Sequence, residues 1–401
     1  MFDITQDITL HNIKKIPSSS NSSDRGLLPS VSTSLPSSAI KPELAVDDDI
    51  SLFKRIVQEQ DARKLDRGIT IQPLPKCPRT AFSSGDNDWF TMLNAPSFDI
   101  CPTCFDAVIA DTEYRRYFIP APQRALGVEV RCDFGYSLWF RIAWILTLKE
   151  GKHDMRMFEE LAHVDVSSVP CSRKKKALRQ WHSVIDSSLG QPIQGFNACY
   201  SCVKNIEVLL PNLKGVFIKT TSYSAFPRRL CSLRVDSKRF VPYFDALETM
   251  SDRAAFHDAE PLDTQEFTQL AWKFSIMDEC PQDTELADRH WYTITQLPEF
   301  TVCEECFDEV VRPEIQEKKA LALMIDKTKQ KLAAASCQLS SERMRRVFRE
   351  AADTGDFKLL ESTTRERVSL QAVSKLAAAN SNLSEADIIK LNEAWKRWND
   401  E

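Results

Sequence analysis

Glycine is scarce in this chain, with ten residues in 401, and histidine is scarcer still at six. So little glycine leaves few positions for turns that need a left-handed backbone, which favours a helix-rich chain with few sharp hairpins. Long apolar runs are missing as well. The longest, around Ser137 to Leu148, spans about a dozen residues and contains Arg141, too short to cross a bilayer. The first seven residues, Met-Phe-Asp-Ile-Thr-Gln-Asp, place acids where a secretory signal needs a basic start and an apolar core. These absences point to an intracellular protein of the cytoplasm or nucleus, with no membrane association and with reduced cysteines. A positive charge excess is also lacking. Lys and Arg number 52 against 57 Asp and Glu, a net charge of -5, which argues against a surface given over wholly to nucleic acid or anionic lipid. No G-x-S-x-G elbow, phosphate loop or dinucleotide fingerprint occurs. No residue can be named as catalytic, and an enzyme is not expected.

What is present is a soluble composition, 43% hydrophobic and 27% charged, of a length that suggests two or three domains. Residues 18–38 hold ten serines and two prolines, too little apolar surface to offset the entropy of ordering. Residues 1–49 are therefore expected to form a disordered tail. A helix is predicted from Ile50 to Leu65, on the stripe Leu52, Phe53, Ile56, Val57 and Leu65. At the far end Ser384, followed by Glu385 and Asp387, reads as a helix start. The helix it opens would run to about Trp398, with Ile388, Leu391 and Trp395 on one face.

Comparison of the chain with itself is the most informative step. Trp89, Phe90, Thr91, Pro96, Phe98, Cys101, Cys104, Phe105 and Asp106 recur 202 residues later, without a gap, as Trp291, Tyr292, Thr293, Pro298, Phe300, Cys303, Cys306, Phe307 and Asp308. A degraded copy lies between them: Trp181, Phe196, Cys199 and Cys202, with a six-residue insertion before the cysteine pair. A lone cysteine precedes each tryptophan. Phe118-Ile119 and Phe217-Ile218 both stand 14 positions before a fourth cysteine. The twelve cysteines thus divide into Cys77, Cys101, Cys104, Cys132; Cys171, Cys199, Cys202, Cys231; and Cys280, Cys303, Cys306, Cys337. Random placement of twelve cysteines would give about 0.4 C-x-x-C pairs, and three are present.

Four thiolates make the closed tetrahedral shell of structural zinc, and a C-x-x-C turn supplies half of it from one tight loop. The spacing is C-x23-C-x2-C-x27-C in the first set, and the other two follow it closely. Zn2+, up to three ions per chain, is the cofactor this pattern implies. A thiol–disulfide oxidoreductase would need a strand–helix–strand setting for its C-x-x-C, iron–sulfur ligation clusters three cysteines more tightly, and buried metal-free thiols are the remaining reading. Whether the middle set closes around a metal is open, because its insertion places Cys171 in doubt. Arg131 and Arg229, beside the fourth cysteines, are candidate donors to the sulfurs. Helices are predicted after each C-x-x-C, after each fourth cysteine, and before the second and third units at Met155 to Ala162 and Thr264 to Ile276. Trp89, Trp181 and Trp291 are expected in the core.

Arg173, Lys174, Lys175, Lys176 and Arg179 form the one dense basic cluster. The expectation is the solvated face of a helix whose apolar side holds Ala177, Leu178, Trp181 and Val184. The alternatives are an import signal or a nucleic-acid contact. No aromatic residues interleave with it in sequence. A second patch, Arg343, Arg345, Arg346 and Arg349, lies on a predicted helix. His182 and His290 flank their tryptophans on opposite sides, which speaks against shared ligation. Glu159-Glu160 and Glu304-Glu305 read as solvated.

Around Glu299 to Val311, which contains Cys303-Glu304-Glu305-Cys306, and at Cys337-Gln338-Leu339 with Arg343-Met344-Arg345, the chain resembles uncharacterised proteins of filamentous fungi. The resemblance implies a cysteine-motif architecture and a fungal origin, and no activity. The architecture expected is mainly α with short extended segments: three tandem zinc-stabilised helical repeats at residues 50–154, 155–262 and 263–360, then a C-terminal helical segment at 361–401. The function expected is an interaction or scaffold module for an unidentified protein partner. A nuclear nucleic-acid factor is the alternative, and a ubiquitin-ligase-like module is disfavoured because cross-braced sites need eight ligands per pair of ions.

Overall fold

The computed structural model describes residue 74, residues 76–125, 127–220, 228–256, 262–379 and 385–400. The predicted tail, the predicted helix from Ile50 to Leu65 and the helix start at Ser384 lie outside them. No described helix is long and apolar enough to cross a membrane.

Helices predominate, but the extended pieces do more than connect them. The chain first forms strands β1 (Phe90–Met92) and β2 (Ala95–Ile100), helix α1 (Pro102–Val108) and strand β3 (Phe118–Pro120). Helices α2 (Asp133–Tyr136), α3 (Leu138–Glu150) and α4 (Arg156–Ser167) follow. The middle region contains β4 (Ala177–Leu178), β5 (Trp181–Ser183), β6 (Ile185–Asp186), β7 (Gln191–Pro192), β8 (Ala198–Cys199), α5 (Tyr200–Leu209), β9 (Ile218–Lys219), β10 (Arg228–Arg229), α6 (Phe240–Phe256) and α7 (Gln265–Ile276). The last region has β11 (Leu286–Ile294), β12 (Leu297–Val302), the turn α8 (Glu304–Cys306), α9 (Arg312–Gln316), β13 (Gln330–Ala335), α10 (Glu342–Thr354), α11 (Phe357–Ala379) and α12 (Glu385–Asp400).

Three three-stranded antiparallel sheets result, ordered β2-β1-β3, β8-β5-β9 and β12-β11-β13, beside the two-stranded pairs β10-β4 and β6-β7. The tryptophan segment supplies the central strand each time. Register repeats as well as order. Phe90 faces Ile100 and Met92 faces Ala95, with an irregularity between them; Tyr292 faces Val302 and Ile294 faces Leu297, with the same irregularity. Thr91 pairs with Ile119, and Ser183 with Ile218. The Phe-Ile pairs noted in sequence therefore mark the third strand of the first two sheets.

Scarce glycine did not prevent hairpins. Leu93-Asn94 and Thr295-Gln296 link their strands without glycine, and neither pair contains a left-handed residue. A register irregularity adjoins each turn, between Phe90 and Met92 and between Tyr292 and Ile294, where a bulge adds the local twist that such a turn lacks.

The predicted helices after the cysteine motifs are present at α1, α3, α5, α6 and α10, and those before the second and third units at α4 and α7. The three tryptophans are at most 3% exposed, and Phe98, Phe196 and Phe300 at most 1%. Phe90 stacks on Phe105 at 4.0 Å, and Tyr292 stacks on Phe307 at 3.7 Å, the same contact 202 positions on. The first two cysteine regions share one apolar core, in which Trp139 of α3 packs edge-on against Phe240 of α6 at 5.2 Å. The third region has a core of its own.

Candidate metal centres

Each predicted set of four cysteines is brought together, with its sulfurs all within 4.8 Å of one another. Eleven of the twelve are buried and Cys171 is half-buried. Cys77 Sγ lies 3.7 Å from Cys101 Sγ, and Cys306 Sγ lies 3.5 Å from Cys280 Sγ. Corners of a tetrahedron with metal–sulfur bonds of ~2.3 Å are about 3.8 Å apart. The donor set fits a tetrahedral thiolate site. Among the described residues no histidine joins any set; His182 is buried beside Tyr200 and His290 is exposed.

Local structure explains how distant cysteines converge. Cys101 and Cys303 sit as N-caps, their sulfurs accepting the Cys104 and Cys306 amides at 3.5 and 3.4 Å. Cys132 caps α2 and accepts from Gly135 N–H at 3.3 Å. Helix N-termini favour negative charge, so these positions stabilise thiolates. The loop of the first cysteine clasps that of the fourth: the Cys132 amide donates to the Arg79 carbonyl at 2.8 Å, and the Cys337 amide to the Gln282 carbonyl at 3.2 Å. The Cys101 and Cys199 amides donate to Cys132 and Cys231 sulfurs at 3.4 and 3.3 Å.

Cys171 is within reach after all. The six-residue insertion folds out as the β6–β7 hairpin, whose turn is closed by Asp186 accepting the Ser188 and Leu189 amides. The insertion lengthens the chain without displacing the pair Cys199 and Cys202.

The sulfurs respond to one another. Hydrogen bonding from the other three thiols holds Cys101, Cys199 and Cys306 far below the ordinary thiol range. Hydrogen bonding to neighbouring sulfurs raises Cys104, Cys132, Cys202 and Cys303. Four adjacent thiolates need a cation between them, and a divalent ion would displace the remaining protons.

Arg131 and Arg229 do not serve the sulfurs. Arg131 stacks on aromatic rings, and Arg229 donates to the Asn197 side chain at 2.5 Å. The donor that does reach a sulfur is Arg345, one of the second basic patch on the helix after Cys337. It is 1% exposed and contacts Cys306 Sγ at 3.6 Å, the Leu339 carbonyl at 2.8 Å and both Glu309 oxygens. Arg141 does similar work in the first region, donating to the Phe134 and Gly135 carbonyls at 3.1 and 2.9 Å. Arg345→Met is expected to lower stability by about 1–3 kcal/mol, since it leaves a buried carbonyl unpaired; urea denaturation measures it.

Glu305 is likewise not solvated. It is 7% exposed, accepts Arg239 Nε at 2.5 Å, and accepts the Cys280 amide at 2.6 Å. Burial pushes its carboxyl above the usual range, against the pull of Arg239. Arg239 belongs to the middle region, so one ion pair ties that region to a ligand loop of the third site. Arg239→Met is expected to cost about 3–5 kcal/mol by stranding a buried carboxylate. The double variant with Glu305→Gln should recover a good part of it, as a double-mutant cycle would read.

The basic cluster is not a helix face. Ser172 to Lys175 form a tight turn closed by Lys175 N–H to the Ser172 carbonyl at 3.0 Å, and Ala177-Leu178 then pair with Arg228-Arg229. Helix is ruled out physically, because Cys171 is drawn to the metal set and Trp181 must enter the central strand.

Comparison with protein-family profiles, with curated proteins and with solved structures finds no match.

Proposed function

We propose that this chain is a structural zinc protein. Three tandem units would each be pinned by one zinc ion held by four cysteine thiolates, and the chain would act as an intracellular scaffold for a protein partner rather than as an enzyme. The observation that carries this is the closed, buried set of four thiols, present three times. A four-thiolate shell leaves no position for water or substrate, so its ion holds structure rather than activating a nucleophile. The shared sheet order and the register offset of 202 residues support a tandem origin, with units at about residues 50–154, 155–262 and 263–360. Kinship with the fungal proteins is part of the same proposal.

Zinc fits the set because thiolate ligands in tetrahedral geometry suit it. Three tetrathiolate zinc sites would carry -2 each and move the formal net charge from -5 to about -11. Elemental analysis of the purified chain should find close to three zinc ions, and cobalt(II) substitution should give the visible bands of tetrahedral thiolate ligation. Iron in place of zinc would overturn the metal assignment, and a folded chain with no metal would overturn the reading.

A further inference from the structure

Aromatic rings and guanidinium groups alternate at the junction of the first two cysteine regions, where the sequence places none of them side by side. The Arg131 guanidinium lies 4.3 Å from the ring centre of Phe82 and 3.2 Å from that of Tyr136. Arg173 lies 4.5 Å from the same Tyr136 ring. The series Phe82, Arg131, Tyr136, Arg173 draws on three separate segments, Arg131 and Tyr136 flanking Cys132. Its outer member, Phe82, is 57% exposed.

The far end of this ladder opens onto positive charge. Arg173 holds a left-handed backbone, φ +49, in the turn that directly follows Cys171. A side-chain-bearing residue keeps that conformation only where its surroundings impose it. Here Cys171 fixes one side of the turn and strand β4 the other. The turn presents Lys174, Lys175 and Lys176, all exposed, none hydrogen-bonded to a carboxylate among the described residues. Beside it the pairing of β10 with β4 sets the exposed Arg228 opposite Leu178.

Flat stacking surfaces beside a row of cations match the two parts of an unpaired nucleic-acid strand, its base planes and its phosphates. A duplex hides its base planes, and an acidic peptide offers charge without flat rings. We propose that this surface binds single-stranded nucleic acid, a base stacking on Phe82 and phosphates contacting Lys174, Lys175, Lys176 and Arg228. Such a role goes beyond the structural one and does not depend on which ion fills the cysteine sites.

Fluorescence anisotropy of the full, metal-replete chain tests it, with labelled oligothymidylate and oligouridylate of about 20 nucleotides, longer than a typical single-strand footprint. Binding is expected at about 50 mM salt and should weaken steeply as salt rises. Matched duplex should bind less well, and vesicles rich in phosphatidylserine should bind poorly. Replacing Lys174, Lys175 and Lys176 together by Gln should reduce the slope of log affinity against log salt by about 2, three contacts at about 0.7 each. Phe82→Ala should weaken binding about 5- to 100-fold and leave the slope unchanged. Because Phe82 and the lysines are exposed, these variants should fold as the parent does, which circular dichroism checks. Absence of oligonucleotide binding overturns the proposal, as does duplex bound as tightly as single strand. Capture by vesicles alone, or parental affinity in Phe82→Ala, overturns it equally.

Discussion

Chelation of the purified chain at neutral pH is expected to unfold it in two stages. A structural zinc held by thiolates contributes about 10–16 kcal/mol to folding, comparable to or larger than the whole net stability of a typical domain, about 5–15 kcal/mol. No unit should survive loss of its ion. The first two cysteine regions share one apolar core and the third has its own, so sites one and two should be lost together. Thiol-reactive dye added during chelation would then report one phase of eight thiols and another of four. Far-UV circular dichroism would fall with each. Retention of the full helical signal after all twelve thiols have reacted would show that the cysteines are not what holds the fold.

Replacing Gly135 by Ala is expected to abolish the first site and, through the shared core, the second with it. A Cβ built at Gly135 would lie 2.2 Å from Cys77 Sγ and 2.4 Å from Cys77 Cβ. Real atoms do not approach so closely, and neither partner is free to yield. The sulfur belongs to the buried set of four thiols proposed to hold zinc, and Gly135 N–H is bonded to Cys132 Sγ at 3.3 Å. Metal content should drop from three ions to one, with destabilisation of several kcal/mol from a forced overlap in a packed core, beyond the usual ~1–3 kcal/mol of overpacking. Gly151→Ala is the control. Its φ of +62 closes a helix end, but a Cβ there meets no atom within 4 Å. It should cost only about 1–2 kcal/mol of backbone strain and keep all three metals. Full metal content in Gly135→Ala would show that the Cys77 loop can move aside.

Much of this site was legible because metal ligation is written in spacing. A C-x-x-C turn, a flanking Trp and two outlying cysteines recur with little change, and a closed tetrahedron admits few other uses of four thiols. The helices were legible through apolar periodicity, which the loops around the cysteines do not disturb. The sheets were harder to see. Strands of two or three residues, such as β5 and β9, are too short for alternation to register, and the β1–β2 and β11–β12 hairpins dispense with the glycine that usually announces them. Glu305 was read as solvated and the role of Arg345 went unseen for a different reason. Each lies in a charged run, and charge in sequence suggests solvent. Each is buried because a cysteine loop offers it a carbonyl or an amide that water cannot reach.

By itself, then, the sequence determined which cysteines converge, their division into three sets of four, the tryptophan cores and the helices that follow. These depend on chemistry local to each motif. Tertiary structure decided the rest. It joined the first two regions in one core, tied Arg239 of the middle region to the Cys280 loop through Glu305, and folded the insertion out so that Cys171 reached its site. It also assembled Phe82, Arg131, Tyr136 and Arg173 into one series. Each of these is a contact between segments tens of residues apart, and such contacts are settled by which surfaces remain to be buried once every local element has formed.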